Sequence, residues 1–204
     1  MTFLDLDKLA STPLATDPYE FVVVPGFLSP TGLARVREAY PAIERPGSFP
    51  ISEVKASASF QEFLAELEGP EFRRAIEAKF AIDLTDRPTM VTVRGQCSAR
   101  DGGIHTDSKS KLITVLIYLN DPWEAEGGRL RLLRSPDDLE DYALELPPDA
   151  GLLLAFRRGA RSFHGHKPFQ GPRRVIQLNW VTHRGHVYWD SMRHRLSALF
   201  KRAA

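Results

Sequence analysis

His105 and Asp107 stand two apart in the stretch GIHTD, just ahead of SKSKLITVLIYLN, a segment that turns apolar within a few residues. In extended backbone, residues i and i+2 share a face, so this imidazole and carboxylate can meet at one point while Thr106 looks away. The pair is two-thirds of a two-histidine, one-carboxylate site of the kind that leaves open positions on non-haem Fe(II). A three-residue match is common by itself, and its bland reading is a turn-capping carboxylate beside a surface histidine. A later strand-like stretch, SFHGHKPF, adds His164 and His166, and the adjacent Arg173 and Arg174 follow it.

Between about Thr89 and Thr182 the matching pieces fall in one order. They are the H-x-D of His105 to Asp107, the strand LITVLIYLN, Gly127-Gly128 before RLRLL, the P-x-x-G of Pro148 to Gly151 leading into LLLAF, the H-x-x-x-P of His164 to Pro168, and the interval from Arg174 to Trp180. In these motifs and their order the stretch resembles the Fe(II)- and 2-oxoglutarate-dependent dioxygenases of the prolyl-4-hydroxylase-like branch. The resemblance implies a double-stranded β-helix (jelly-roll) core, with His105, Asp107 and His164 as iron ligands. It implies Arg174 as the partner of the distal carboxylate of 2-oxoglutarate, Tyr118 as a second donor to that carboxylate, and Thr114, on the same strand face, as a pocket-lining group.

Two positions have competitors. His166 shares a strand face with His164, and the spacing to Pro168 favours His164. Arg173 and Arg174 must point to opposite faces of a strand. The interval to Trp180 favours Arg174, and parity then sends Ile176, Leu178 and Trp180 inward beside it. The sequence also departs from the family where many relatives carry a tyrosine before the first ligand; here the segment reads Arg94-Gly95-Gln96, with Gln96 a candidate substitute.

The elements that must position these groups form an α+β pattern. Phe21 to Val24 reads as a strand, and Ser29-Pro30 as an N-cap with proline at N1 of a helix reaching Tyr40. Residues 45 to 58 read as a loop, and Phe60 to Leu67 and Phe72 to Phe80 carry helical spacing. From Pro88 on, seven short strand patterns separated by Asn, Asp, Gly and Pro turns indicate an antiparallel sandwich or barrel. We expect one domain over 1–204: a mainly helical part at about 1–87, the jelly-roll core at about 88–183, and a C-terminal helix at about 187–201.

The chain has 204 residues, a formal net charge of +1 and a single cysteine, Cys97. Such a charge gives no general pull toward nucleic acid, and one cysteine excludes both a disulfide framework and a thiolate zinc cluster. No signal-like or membrane-spanning segment is evident, so the expected location is the cytoplasm, with no membrane partner. Lys109 and Lys111 read as solvated charges, although Lys111 faces the same way as Asp107. Arg157, Arg158 and Arg161 read as a solvated loop that could also recognise an acidic substrate. Cys97 reads as an inert loop residue, and His183 and His186 as surface groups.

The function the resemblance implies is hydroxylation of an unactivated C–H in a small-molecule, amino-acid or peptidyl substrate, using Fe(II), 2-oxoglutarate and O2 and releasing succinate and CO2. Asp107 as the carboxylate ligand argues against halogenation, which needs that position vacant for halide. The alternatives are another oxidative outcome at the same centre, and a non-catalytic jelly-roll protein binding a metal or small molecule. A nucleic-acid-directed oxygenase is disfavoured by the lack of basic excess.

Overall fold

The structure is a computed structural model that describes residues 2–183 and Gly185. Among the described residues there are nine strands: β1 (Phe21–Val24), β2 (Phe49–Pro50), β3 (Thr89–Cys97), β4 (Lys111–Tyr118), β5 (Leu130–Leu133), β6 (Tyr142–Leu146), β7 (Leu153–Arg157), β8 (His164–Gly165) and β9 (Gly171–Val181). They form a six-stranded sheet in the order β1-β7-β4-β9-β3-β2 and a three-stranded sheet in the order β6-β5-β8, with all pairings between these strands antiparallel. Consecutive strands alternate between the two sheets over much of the core, which is how a jelly roll winds.

Four helices, α1 (Leu6–Ser11), α2 (Pro30–Ala39), α3 (Ala58–Leu67) and α4 (Pro70–Phe80), come from the first part of the chain. Their starts follow from local chemistry. Ser29 accepts from the Gly32 amide at 3.1 Å ahead of Pro30, and Ser57 accepts from the Phe60 amide at 3.3 Å, each satisfying an amide that the first turn leaves free. The apolar faces of α3 and α4, among them Phe60, Phe63, Phe72 and Ile76, pack on the large sheet. Strand alternation supplies their partners: Ile113, Val115 and Ile117 from β4 and Ile176, Leu178 and Trp180 from β9, all fully or almost fully buried. The rings of Phe72 and Trp180 lie 5.9 Å apart.

The opposite face of the large sheet meets the small sheet. Leu116, Tyr118, Leu154, Phe156 and Val175 pack there with Leu130, Leu132 and Leu146. This second core is incomplete, and the space it leaves between the sheets is the cavity described below. The large sheet thus has one face closed by helices and one that opens on the site, and parity decides which side chains of each strand reach the site.

The expected loop at 45–58 is interrupted by β2 and a 3-10 turn at Ile51–Glu53 before α3 begins. Cys97 is not a loop residue but the buried last residue of β3. The expected C-terminal helix and His186 lie outside the described residues. Among those described, no helix is long and apolar enough to cross a membrane.

Candidate metal and co-substrate site

The ligand atoms of His105, Asp107 and His164 all lie within 4.8 Å of one another. Two main-chain bonds bring the histidines together. The His105 amide donates to the His164 carbonyl at 3.0 Å and the His164 amide to the His105 carbonyl at 2.9 Å, so the HxD segment pairs with β8 as an antiparallel bridge. The two rings sit 4.3 Å apart, centroid to centroid.

Each ring is also fixed from behind. Nδ1 of His105 lies 2.8 Å from the Gly103 carbonyl, and Nδ1 of His164 lies 3.0 Å from the Ser162 carbonyl. A carbonyl can only accept, so both Nδ1 atoms carry the proton and both Nε2 lone pairs are left for a metal. Burial pushes His164 down to about 4, with Asp107 opposing and His105 adding to the shift, so the ring is neutral near pH 7 as a ligand must be.

Asp107 is buried, and burial alone would raise its pKa. The Lys111 ammonium, the nearby His164 and hydrogen bonds from Lys111 and Thr114 outweigh that and hold the carboxyl well below its usual range. Lys111 Nζ lies 2.7 Å from Asp107 Oδ1, while the Thr114 hydroxyl donates to Oδ2 and accepts from Asn179 Nδ2 at 2.8 Å. Lys111 is therefore a buried ion-pair partner, not a solvated charge. The pairing of β4 with β9 shifts register between Lys111 and Ile113, and this bulge turns Lys111 to the cavity side with Thr114.

A cavity of about 490 Å³ opens from this triad between the sheets. Lys111, Thr114, Leu116 and Tyr118 of β4 line it, as do Thr92 and Arg94 of β3 and Arg173, Val175 and Gln177 of β9. Tyr118 is fully buried, and its hydroxyl has no hydrogen-bond partner among the described residues. Burial raises its pKa, so it stays a proton donor, and the Arg173 guanidinium carbon lies 5.4 Å from its ring centroid. Arg173 spends Nε on the Gly128 carbonyl at 2.9 Å. A buried unpartnered hydroxyl beside a guanidinium fits the distal carboxylate of a dicarboxylate ligand, because a guanidinium fork and an O–H are both donors to it.

Several expected positions therefore change. Arg174 does not enter the cavity. Its side chain is exposed on the far side of the sheet, with its guanidinium carbon 5.9 Å from the Tyr40 ring centroid. Ile176, Leu178 and Trp180 do share its face, but that face is the one the helices cover. The signal available in the sequence was polarity: Arg173, Gln177 and Asn179 alternate with the apolar set, and a ligand-binding face keeps the polar one. Thr114 lines the cavity, yet its hydroxyl is committed to Asp107 and Asn179.

His166 lies outside the triad. It lines the cavity wall with Nδ1 2.8 Å from the Lys167 carbonyl, and burial pushes it down to about 4. Gln96 does not line the cavity, since β3 shifts register between Arg94 and Gln96, whereas Arg94 does. Gly102 anchors the loop ahead of His105. It sits at φ +96° with its carbonyl accepting from the His166 amide at 2.8 Å, and a Cβ there would come within 2.4 Å of the His166 ring.

A jelly roll that converges two imidazoles and one carboxylate on a part-open cavity offers the donor set suited to a mononuclear non-haem metal ion. Residues 95–182 match the family model of the 2OG-Fe(II) oxygenase superfamily, a family whose cofactors are Fe(II), 2-oxoglutarate and O2. No curated protein matches the chain by sequence. Solved structures share the fold at low identity. A Pseudomonas putida prolyl-4-hydroxylase is 20% identical with a TM-score of 0.54, covering 86% of this chain and 88% of its own. A collagen prolyl hydroxylase of Paramecium Bursaria Chlorella virus-1, solved with 2-oxoglutarate, is 16% identical with a TM-score of 0.57, covering 82% and 99%. A Burkholderia pseudomallei oxidoreductase of the 2OG-Fe(II) oxygenase family is 14% identical with a TM-score of 0.55, covering 80% and 84%. These findings favour an oxygenase over a non-catalytic jelly-roll binding protein.

Proposed function

We propose that this oxygenase hydroxylates an unactivated C–H bond of a small-molecule, amino-acid or peptidyl substrate. In this reading His105, Asp107 and His164 hold Fe(II), and Arg173 with Tyr118 holds the distal carboxylate of 2-oxoglutarate. The observation that carries it is the buried, unpartnered Tyr118 hydroxyl beside Arg173 in the same cavity as the triad. Two of the structural neighbours are prolyl hydroxylases, one of collagen, which keeps a peptidyl substrate among the candidates. The single cysteine suits a reducing compartment, and we retain the cytoplasm as the proposed location of a single-domain enzyme.

When bound, iron and 2-oxoglutarate turn O2 into an oxidant of C–H bonds, with release of succinate and CO2. The chain's own residues prepare that chemistry. Gly103 and Ser162 carbonyls hold the two imidazoles in one tautomer, and Thr114 and Lys111 keep Asp107 ionised and aimed. Leu116, Leu130, Phe156 and Val175 give the cavity an apolar lining that limits water near the reacting centre. Because Asp107 would supply the carboxylate ligand, the one position that halide would need in its stead is taken, and the expected outcome is hydroxylation.

The test is anaerobic addition of Fe(II) and 2-oxoglutarate. A visible metal-to-ligand charge-transfer band is expected in the wild type, with loss of the band in His164→Ala. A wild-type protein that binds Fe(II) and 2-oxoglutarate without producing that band defeats the reading. A substrate-library screen for succinate formation above the uncoupled background then identifies the compound oxidised.

A further inference from the structure

Several of the polar side chains that line the cavity are committed to one another. Arg94 is held by Asp101 at 2.8 Å and by Ser48 at 3.1 Å, and Asp107 by Lys111 at 2.7 Å. The reading above gives Arg173 and Tyr118 to 2-oxoglutarate. Thr92 of β3 and Gln177 of β9 have no part in it, although both line the cavity and stand directly opposite each other on the paired strands. Such partners start about 5 Å apart at Cβ, so the two side chains can meet one small group.

Asp107 decides which end of the Gln177 amide is left for a ligand. An ionised carboxylate can only accept, so the Thr114 hydroxyl spends its one proton on Asp107 Oδ2 and must accept from Asn179 Nδ2, which lies 2.8 Å away. That turns Asn179 Oδ1 toward Gln177, whose Nε2 donates to it at 3.1 Å. Each amide orientation is set by the link before it, and the two middle links, Thr114 and Asn179, are buried. Gln177 Oε1 is thereby left as an acceptor with no hydrogen-bond partner among the described residues. The hydroxyl of Thr92, a residue only 3% exposed, has none either.

The co-substrate does not account for this pair. Thr114 and Tyr118 both lie on β4, and the sheet order β4-β9-β3 sets Thr92 two strands away, about 10 Å at the usual strand spacing. 2-Oxoglutarate also carries only acceptors, which the Gln177 oxygen repels. An amide oxygen beside an uncommitted hydroxyl suits a neutral group that has a hydrogen to give.

We propose that Gln177 is a specificity-determining residue: it accepts a hydrogen bond from a neutral N–H or O–H of the substrate, and Asn179 is the positioning residue that keeps its oxygen turned to the cavity. The inference rests on the oxygenase reading and deepens it. Anaerobic protein loaded with Fe(II) and 2-oxoglutarate is titrated with matched pairs that differ in one donor. These are the N-methylamides and methyl esters of N-acetyl-L-proline, 3-phenylpropanoic acid and hexanoic acid, and benzyl alcohol and 3-phenylpropan-1-ol with their methyl ethers; the three free acids are titrated alongside. Perturbation of the charge-transfer band reports binding. Absence of the band before any titrant is added ends the oxygenase reading and this inference with it.

With the band present, at least one donor-bearing probe should bind about tenfold or more tightly than its blocked partner, the scale of a hydrogen bond whose loss leaves a polar group unpaired. Preference within the amide pairs assigns an N–H, and within the alcohol pairs an O–H. Gln177→Met, close in shape and without the acceptor, should bring the ratio to about one. Asn179→Leu should lower it in the same sense, because the Gln177 amide can then turn either end to the ligand. A merely structural role in β9 would weaken both members of a pair alike and leave the ratio standing. The wild-type pairs decide even where a variant does not fold. The proposal is overturned if donor-bearing and blocked probes bind alike, if none binds, or if a free acid binds more tightly than its methylamide. It is also overturned if the preference survives Gln177→Met, or if that variant weakens 2-oxoglutarate binding and leaves the ratio unchanged, since Gln177 would then serve the co-substrate.

Discussion

Arg173 and Arg174 are neighbours on β9, and strand alternation sends their side chains to opposite sides of the sheet. One is buried beside the Tyr118 ring and the other is exposed near Tyr40. Arg173→Ala should raise the KM for 2-oxoglutarate by about 100-fold or more, the scale of breaking a buried charge pair by removing one partner. Arg174→Ala should leave it within about twofold, as surface substitutions do. Steady-state succinate formation checks both, and the reverse pattern would return the co-substrate to the far arginine. The convergence of His105 and Asp107 was legible in the sequence because residues i and i+2 of an extended segment share a face, whatever the surrounding fold. The choice of arginine was not, because it depends on which sheet face the helices cover. Lys111 was misread for a related reason: only the register shift beside it turns the side chain into the cavity.

At the scale of elements, seven strands of the core and the helices α2, α3 and α4 follow from periodicity and caps that the sequence displays. α1 has six residues and β2 has two, too short for any period, and β2 exists because Phe49 and Pro50 pair with Val93 and Thr92 of β3. The 98–104 loop shows how a loop gets its shape from distant partners. Gly102 lies at φ +96° against the His166 ring and carbonyl, whereas a Cβ at Gly103 would meet nothing within 4 Å. Gly102→Ala should therefore destabilise the protein by about 1–3 kcal/mol through strain and the clash with His166, and Gly103→Ala by under about 1 kcal/mol. Denaturant unfolding of the two variants measures this. Equal costs would mean that the loop bends away and Gly102 is not its anchor.

For the whole molecule, the helix layer closes one side of the large sheet with apolar contacts, while the site side buries titratable groups whose protonation is coupled to folding. His164 and His166 both sit at about 4 in the folded protein, each chiefly through burial. An unfolded chain returns them to about 6.5. Between these values the unfolded state binds more protons than the native state, so stability is intact above about pH 6.5 and falls as pH drops toward 4. Each histidine contributes a slope of up to about 1.4 kcal/mol per pH unit in that window. Asp107 moves the other way. Its depressed pKa supports the fold above the ordinary carboxylate value and is felt only as pH falls below about 4, outside this window. In metal-free protein, urea unfolding at pH 7, 6 and 5 should show a progressive loss of stability. His166→Gln, which touches no metal ligand side chain, should reduce the slope by about half, because one of the two histidines that take up protons on unfolding is gone. A flat profile from pH 7 to 5, or an unchanged slope in His166→Gln, would show that the cavity admits enough water to hydrate these rings. The dry environment invoked for the site would then be wrong at the level of the whole fold.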